Sequence, residues 1–275
     1  MKIAFFGTSD RSQPILKSLN NNFDLEFCIT KKGSGVEAWC KENKIKITQK
    51  VTPDIDLGVV ADYSQIISGD VINTPKYKII NIHFSLLPEL RGASPIQHAI
   101  LQGLNGTGVS YFVMSEKMDT GDIIYQFEHP LDGTETSGEL YEILFEKAAN
   151  HLPQVISDYT SGKLIPQPQD HSKATYCYSK THPKSTLIHK DDALIDWKDS
   201  AKYIERQVRA FDPWPIAWAY LKDLPVALKD HINPDLKVKI HKVEVKNGKL
   251  EIKELQVEGK NIIDWESFEN GYTKK

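Results

Sequence analysis

The chain has 275 residues, 40% of them hydrophobic and 26% charged, and a formal net charge of −3 at pH 7. This length and composition are typical of a folded globular protein with room for two domains. The charge excludes a protein that is strongly basic overall, as many nucleic-acid-binding proteins are, but it does not exclude a local basic patch.

The cysteines and apolar runs indicate the compartment. Cys28, Cys40 and Cys177 are odd in number and widely spaced, which predicts neither a disulfide framework nor a zinc site. No apolar run approaches the roughly 20 residues of a membrane span. A strand predicted at Lys2–Phe6 leaves no room for a signal peptide. We therefore expect a cytoplasmic protein with no metal and no membrane association.

Strands and helical patterns alternate over the first hundred residues. The predicted strands are Lys2–Phe6, Phe23–Thr30, Lys46–Thr48, Leu57–Ala61 and Tyr77–Phe84. Helices are predicted around Ile15–Leu19, near Val36–Asn43 and at Pro95–Leu101. Such alternation is typical of a parallel sheet with helices on both faces.

The pattern changes after residue 104. Two strands joined by a turn are predicted at Gly108–Met114 and Asp122–Glu128, followed by a helix over residues 136–159. The polar stretch 172–190 is typical of a linker, and a helix is predicted at Asp196–Ala210. Short alternating runs then predict a small β domain, at Ala217–Leu221, Lys237–Val245 and Leu250–Gln256. We predict domains at 1–178 and 207–275, joined by a linker at 179–206.

Asn81 and His83 lie two residues apart at the end of a predicted buried strand. Side chains at positions i and i+2 of a strand point to the same face, so an amide and an imidazole are expected side by side. Asp119, in the predicted Met118–Asp122 turn, could add a carboxylate. An amide donor, a titratable ring and an acid are the groups that acyl-type transfer needs.

These residues also have simpler interpretations. Asp119 could be an ordinary turn residue, because Asp is favoured in turns. His83 could be a buried structural histidine. The Gly7–Asp10 turn lacks the G-x-G-x-x-G pattern, so the sequence gives little support to a dinucleotide site. On the residues alone, the prediction is a two-domain α/β enzyme.

Seven segments, in order, together resemble a known family: FGTSD, ADYSQII, NIHFSLLPELRGASPIQHAIL, TGVS, MDTGD, RAFDPWP and LQVEGK. They resemble the methionyl-tRNA formyltransferases, from Ile3 to about Tyr272. Sugar-nucleotide formyltransferases, glycinamide ribonucleotide formyltransferase and formyltetrahydrofolate hydrolases share the catalytic domain, but RQVRAFDPWP and the closing LEIKELQVEGKNIIDWESFENGY favour the tRNA enzymes. The resemblance implies a Rossmann-like, mostly parallel sheet followed by a small OB-like β domain.

The resemblance also implies a reaction. The formyl donor is 10-formyltetrahydrofolate, and the acceptor is the α-amino group of initiator methionyl-tRNA. Asn81 would donate its amide to the oxyanion of the tetrahedral intermediate. His83 would stabilise the same charge and protonate the departing N10, while Asp119 would pair with His83 and accept the proton of the amine. No metal is required.

The folate site follows from the same resemblance. The family's tetrahydrofolate-binding segment corresponds to Ser85, Leu86, Leu87 and Pro88. The pterin edge would be bound by backbone groups of the segment 63–67, which includes Tyr63, Gln65 and Ile67. Arg91 and Gly92 would shape or contact the acceptor side of the pocket.

Two departures from the family concern the acceptor. The family's long basic loop is reduced here to Thr30–Gly35, with two lysines, and the C-terminal domain is truncated, with too few strands for a full OB barrel. The alternatives are a transferase that formylates an amino-sugar nucleotide and a folate- or RNA-binding module without turnover. The presence of Asn81, His83 and Asp119 argues against the module. We expect a monomer that acts on initiator methionyl-tRNA.

Overall fold

Two separate sheets organise residues 1–274, the part of the chain that the computed structural model describes. The larger unit comprises Met1–Pro95, Gly106–Pro130 and Leu140–Tyr176. The second unit comprises Ile96–Asn105, Leu131–Glu139 and the chain from Cys177 onward. Within residues 1–274, no helix has the length and apolar character needed to cross a bilayer.

Seven strands form the sheet of the larger unit. They are β1 (Lys2–Phe6), β2 (Asp24–Ile29), β3 (Lys46–Ile47), β4 (Leu57–Val60), β5 (Ile79–His83), β6 (Gly106–Val113) and β7 (Ile123–Pro130). Their order is β3-β2-β1-β4-β5-β6-β7. The first five pair in parallel, and β6 pairs antiparallel with both of its neighbours, β5 and β7. The predicted Rossmann-like, mostly parallel sheet is confirmed.

Helices lie between these strands or follow the last of them. They are α1 (Gln13–Asn22), α2 (Gly35–Glu42), α3 (Gly69–Ile72), α4 (Pro95–Gln102) and α5 (Ser137–Thr160). Ser34 caps α2 by accepting a hydrogen bond from the backbone N–H of Glu37 at 3.1 Å. The short loop before α2 leaves Lys31 and Lys32 exposed. The four-residue helix α3 has no apolar period long enough to be recognised in the sequence.

The faces of the sheet determine where β5 presents its side chains. Ile79 packs in a core cluster with residues of the other parallel strands, among them Phe6 of β1 and Val60 of β4. Because strand side chains alternate between faces, Asn81 and His83 continue the face of Ile79 towards the carboxyl end of β5. In parallel sheets, ligands bind at this end of the strands.

Four antiparallel strands form the sheet of the second unit. The elements are α6 (Ala201–Ala210), β8 (Trp218–Tyr220), β9 (Lys237–Lys246), β10 (Lys249–Val257), β11 (Ile262–Asp264) and α7 (Trp265–Tyr272). The strand order is β11-β10-β9-β8, and the core of this unit includes Ile204 and Val208 of α6 and Phe268 of α7. The predicted small β domain is confirmed.

Two differences from the predicted elements of the second unit have local causes. Helix α6 begins at Ala201, not at Asp196, because the side chain of Ser200 accepts from the backbone N–H of Tyr203 and caps it there. Strand β11 and helix α7 were not predicted, because both are short and their apolar residues are few.

Asp192 orders the polar segment that precedes α6. Its carboxylate is 4% exposed and accepts hydrogen bonds from Ser179, Thr181 and the backbone of His189. Burial opposes ionisation, but the hydrogen bonds from His189 and Thr181 outweigh it and lower the pKa of Asp192. The buried carboxylate of Asp192 therefore orders the segment 179–192, in which the sequence alone shows only a run of polar residues.

Candidate active site

The imidazole of His83 is buried at the carboxyl end of β5 and has a defined tautomer. Its Nε2 lies 3.0 Å from the carbonyl oxygen of Leu90, and the residue is 6% exposed. Because a carbonyl oxygen can only accept a hydrogen bond, Nε2 must carry a proton. Nδ1 is therefore the ring nitrogen left free for chemistry, and it faces the carboxylate of Asp119, with 3.9 Å between Nδ1 and Oδ2.

Asp119 lies in the turn between β6 and β7, as predicted, with φ of +53°. Asp is one of the few non-glycine residues that adopt this left-handed conformation readily. The same Oδ2 that faces His83 accepts a hydrogen bond from the backbone N–H of Gly92 at 2.7 Å. The backbone of Gly92 thus holds the carboxylate directly, and Asp119 serves both as the turn residue and as the acid beside the imidazole.

Asn81 differs from His83 in having an unengaged side chain. Among residues 1–274, no hydrogen bond involves its side-chain amide, and the residue is half-buried. It pairs with Phe112 of β6, while His83 pairs with Ser110. An amide donor on the same strand face as the imidazole, with no hydrogen-bond partner in the described part of the chain, is available to bind an oxygen of a ligand.

Side chains of β6 and β7 hold the segment Ser85–Pro88 in place. Oγ of Ser110 donates to the carbonyl oxygen of Ser85 at 2.6 Å and accepts from the backbone N–H of Leu87 at 2.9 Å. Nε2 of Gln126 donates to the carbonyl oxygen of Leu87 at 2.9 Å. The segment that follows β5 is therefore rigidly attached to the antiparallel edge of the sheet.

Leu86 and Pro88 are the partly exposed members of this segment, whereas Ser85 and Leu87 are buried. Leu86 packs on the backbone of Gly108, where a Cβ would lie only 2.5 Å from its Cδ2. The segment thus combines buried attachment points with apolar side chains that reach the surface, as the wall of an apolar ligand slot does.

The second predicted folate segment follows β4, the parallel neighbour of β5. The hydroxyl of Tyr63 donates to Oε1 of Gln65 at 3.0 Å, and its ring packs edge-on against Phe6 with centroids 5.8 Å apart. Ile67 packs partly against the core, whereas Gln65 is exposed and Ile66 is 100% exposed. Because β4 and β5 are adjacent and parallel, this segment and Ser85–Pro88 both begin at the carboxyl ends of the strands.

Gln169 and the side chain of Arg91 form a buried network that the sequence did not reveal. The guanidinium of Arg91 is 2% exposed and donates to Oε1 of Gln169 at 2.5 Å. Of the two roles considered for Arg91, this burial favours shaping the site over contacting the acceptor. Gln169 lies in a polar stretch with no motif around it, so no local signal could have identified it.

Gly121, in the turn of Asp119, has no room for a side chain. A Cβ there would lie 1.7 Å from the backbone carbonyl oxygen of Val113, which no side-chain rotation can relieve. We expect Gly121→Ala to cost about 1–3 kcal/mol, and thereby to lower Tm by roughly 2–10 °C in thermal unfolding followed by circular dichroism.

Gly271→Ala is the control for this substitution, because nothing lies within 4 Å of a Cβ at Gly271 in α7. Alanine is the better helix former, so the Tm of this variant should be unchanged or slightly raised. A Gly121→Ala protein as stable as Gly271→Ala would show that the turn tolerates displacement.

The titratable side chains do not form a metal site in the described part of the chain. Among residues 1–274, no three His, Cys, Asp or Glu side chains are grouped so that they could hold a metal ion. The site at the end of β5 is thus described by an amide, an imidazole and a carboxylate, together with two loop segments beside them.

Two family sequence models match the chain. The model described as formyl transferase matches residues 3–156, and the model described as formyl transferase, C-terminal domain, matches residues 187–273. The first match contains β1 from Ile3 onward, β2 to β7, and every residue of the candidate site discussed above except Gln169. The second match contains the whole antiparallel sheet of the second unit.

A full-length sequence relative and two solved structures extend these matches. The methionyl-tRNA formyltransferase of Clostridium novyi is 31% identical, over 98% of this chain and 97% of the relative. The structure of methionyl-tRNA formyltransferase from Clostridium thermocellum has a TM-score of 0.61 at 19% identity, covering 96% of this chain and 99% of that chain. The N-formyltransferase of Helicobacter canadensis, in complex with folinic acid and dTDP-3-aminofucose, has a TM-score of 0.67 at 19% identity, covering 96% and 98%. At these identities the structures show the fold alone, and the sequence relative carries the finer information.

Proposed function

This chain belongs to the formyltransferase family, and from that premise we propose that it transfers the formyl group of 10-formyltetrahydrofolate to the α-amino group of initiator methionyl-tRNA. The products are formyl-methionyl-tRNA and tetrahydrofolate. The observation that carries the proposal is the full-length identity of 31% to a methionyl-tRNA formyltransferase, which includes both domains.

The amino-sugar alternative has weaker support. The H. canadensis enzyme, whose structure contains an amino-sugar nucleotide, is 19% identical to this chain, and its similarity lies in the fold. The fold is shared by both kinds of formyltransferase, because the Clostridium thermocellum enzyme also matches over nearly the whole chain. Fold does not select the acceptor, so the sequence relative decides in favour of tRNA.

The geometry of Asn81 supports its role as oxyanion donor. The neutral amine of methionine forms a bond to the formyl carbon, and the formyl oxygen gains a negative charge. The unengaged amide of Asn81 donates to that oxygen. A preorganised donor of this kind is typically worth about 2.7–4 kcal/mol of barrier, because it need not reorganise as the charge develops.

His83 and Asp119 then move the protons. Asp119 accepts the proton that the attacking amine loses, directly or through a water molecule. Protonated at Nδ1, the His83 imidazole supplies a proton to N10 as the bond between N10 and the formyl carbon breaks and the oxyanion returns to a carbonyl. Oδ2 of Asp119 lies 3.9 Å from Nδ1 of His83, so the group that accepts one proton and the group that donates the other lie side by side.

The folate would bind beside these groups, between the segment 63–67 and the segment Ser85–Pro88, which follow the carboxyl ends of β4 and β5. Leu86 and Pro88 supply apolar wall, and backbone groups of Tyr63, Gln65 and Ile67 supply hydrogen bonds to the pterin edge. Two side chains support this assignment: Leu86 is partly exposed, and Ile66, within the segment 63–67, is fully exposed. Both are therefore available to an apolar ring.

The domain assignment is part of the same proposal. Residues 1–178 form the catalytic domain, 179–206 the linker and 207–275 the domain that helps to hold tRNA. Lys31 and Lys32 in the short loop are exposed and available to phosphates. Cys28, Cys40 and Cys177 are buried and form no disulfide within residues 1–274, in keeping with a reducing compartment such as the cytoplasm.

A formyl-transfer assay tests the acceptor. Purified protein, 10-formyltetrahydrofolate and charged initiator tRNA should yield formyl-methionyl-tRNA. At subsaturating tRNA the rate should fall between about 50 and 200 mM salt, because phosphate contacts weaken with counterion concentration. The double variant Lys31→Gln, Lys32→Gln should show a smaller salt dependence than Lys41→Gln, a single-charge control on α2.

The same assay with a dTDP-linked amino sugar as acceptor distinguishes the alternative. We expect no formylated sugar. Transfer to the sugar nucleotide, with none to charged tRNA, would replace the proposed function by the alternative. Absence of transfer to either acceptor, in protein that binds the folate, would support a binding module without turnover.

A further inference from the structure

The side chain of Gln169 holds the turn that carries Asp119, although the two residues are 50 positions apart in the chain. Nε2 of Gln169 donates to the carbonyl oxygens of Asp119 and Gly121, at 3.0 and 2.7 Å. Gln169 is 6% exposed. Aspartate adopts a positive φ more readily than most residues, but the conformation is still uncommon, so contacts that hold the turn favour it. The two hydrogen bonds provide such contacts on both sides of Thr120.

Arg91 sets the orientation of the Gln169 amide. Nη2 of Arg91 lies 2.5 Å from Oε1 of Gln169 and 2.9 Å from Nδ1 of His171. Since a guanidinium can only donate, the oxygen of the amide must face Arg91, and the NH2 group must face the two carbonyls. Within residues 1–274, Arg91 forms no ion pair with a carboxylate. The neutral amide of Gln169 is thus the link between a buried cation and the Asp119 turn.

We propose that Gln169 is a positioning residue for formyl transfer, which acts by holding the carboxylate of Asp119 beside the imidazole of His83. This inference rests on the proposed function. The N–H of Gly92 binds the carboxylate at 2.7 Å, whereas Gln169 binds the backbone of the turn. Without the second contact, the turn is free to relax from its positive φ and to carry Oδ2 away from Nδ1, which it now faces at 3.9 Å.

The test is Gln169→Glu, which keeps the size of the side chain. One carboxylate oxygen can still accept from Arg91, but the other replaces the NH2 group and repels the two carbonyl oxygens. We expect kcat to fall about 10- to 100-fold, as misplacement of a catalytic group by about 1 Å does, while the KM for the folate changes less than about twofold.

Gln167→Glu is the matched control. Gln167 lies two residues earlier and is exposed. Its side chain donates to the carbonyl of Ile165 at 3.0 Å, and only its backbone pairs with Ile123 of β7. It undergoes the same change of charge without touching the Asp119 turn, so its kcat should equal that of the wild type. If Gln169→Glu does not fold, Gln169→Met, which removes the donors without adding charge, replaces it in the same measurements.

Two readouts separate positioning from a merely structural role. In the background of Asp119→Asn, Gln169→Glu should produce little further loss of kcat, because both act through one carboxylate. Hydrogen exchange of the segment around Asp119 should be faster in Gln169→Glu than in Gln167→Glu, whatever acceptor is used. Losses of kcat that multiply, or hydrogen exchange equal in the two variants, would overturn the inference. If the wild type is inactive but hydrogen exchange is faster in Gln169→Glu than in Gln167→Glu, the result would count against the proposed function. It would still support the role of Gln169 in holding the Asp119 turn.

Discussion

Asp119→Asn should lower kcat for formyl transfer by about 10²–10⁴-fold, the usual contribution of a positioned proton-transfer group. Asparagine has the shape of aspartate, tolerates a positive φ, and keeps an oxygen that can accept from the N–H of Gly92. The turn should therefore persist while the proton acceptor and the negative charge beside His83 are lost. Steady-state kinetics with 10-formyltetrahydrofolate and charged initiator tRNA measure the effect, and the KM for the folate should change little.

Asp122→Asn is the control for this prediction. Asp122 lies three residues further in the same turn, and its side chain is exposed. The substitution removes the same charge without altering the environment of His83, so kcat should remain close to that of the wild type. Equal losses in the two variants would point to the overall charge of the turn, and full activity of Asp119→Asn would remove Asp119 from the mechanism.

Asn81→Ala should lower kcat by about 10²–10³-fold, the usual loss for one oxyanion donor. The effect should fall equally on kcat and kcat/KM, because the donor acts only when the formyl oxygen becomes charged. The Tm should stay close to that of the wild type, since no hydrogen bond of the amide to residues 1–274 is lost. Kinetics and thermal unfolding of the same preparation test both parts.

Asn81→Asp completes this test. It keeps the shape of the side chain but replaces the NH2 donor by an oxygen and places a negative charge where the oxyanion forms. We expect a loss of kcat at least as large as that of Asn81→Ala. An Asn81→Asp enzyme with wild-type kcat would mean that the formyl oxygen is stabilised elsewhere. His83→Ala is less clean, because it also removes the hydrogen bond that Nε2 donates to the carbonyl oxygen of Leu90.

Local periodicity accounts for most of what could be predicted of the fold. The alternation of buried strands and helices indicated the parallel sheet, and the shorter runs after Trp214 indicated the small β domain. The errors lie at element ends, where a single cap decides the boundary, as Ser200 does for α6. Short elements such as α3 and β11 are not predicted, because they have too few residues to show a hydrophobic period.

Local geometry and tertiary contacts contributed different parts of the candidate site. By itself the sequence determined that Asn81 and His83 share a face, because alternation along a strand follows from covalent geometry. Their place at the carboxyl end of β5 follows from the same run of residues.

The tertiary structure alone decided how these groups are held. The tautomer of His83 follows from the carbonyl of Leu90, and the backbone of the Asp119 turn accepts hydrogen bonds from Gln169. Arg91 reaches Gln169 across 78 positions of the chain. A hydrogen bond between residues so far apart leaves no periodic or local signature in the sequence. It is determined by the packing of the whole sheet, and only the folded structure brings the partners together.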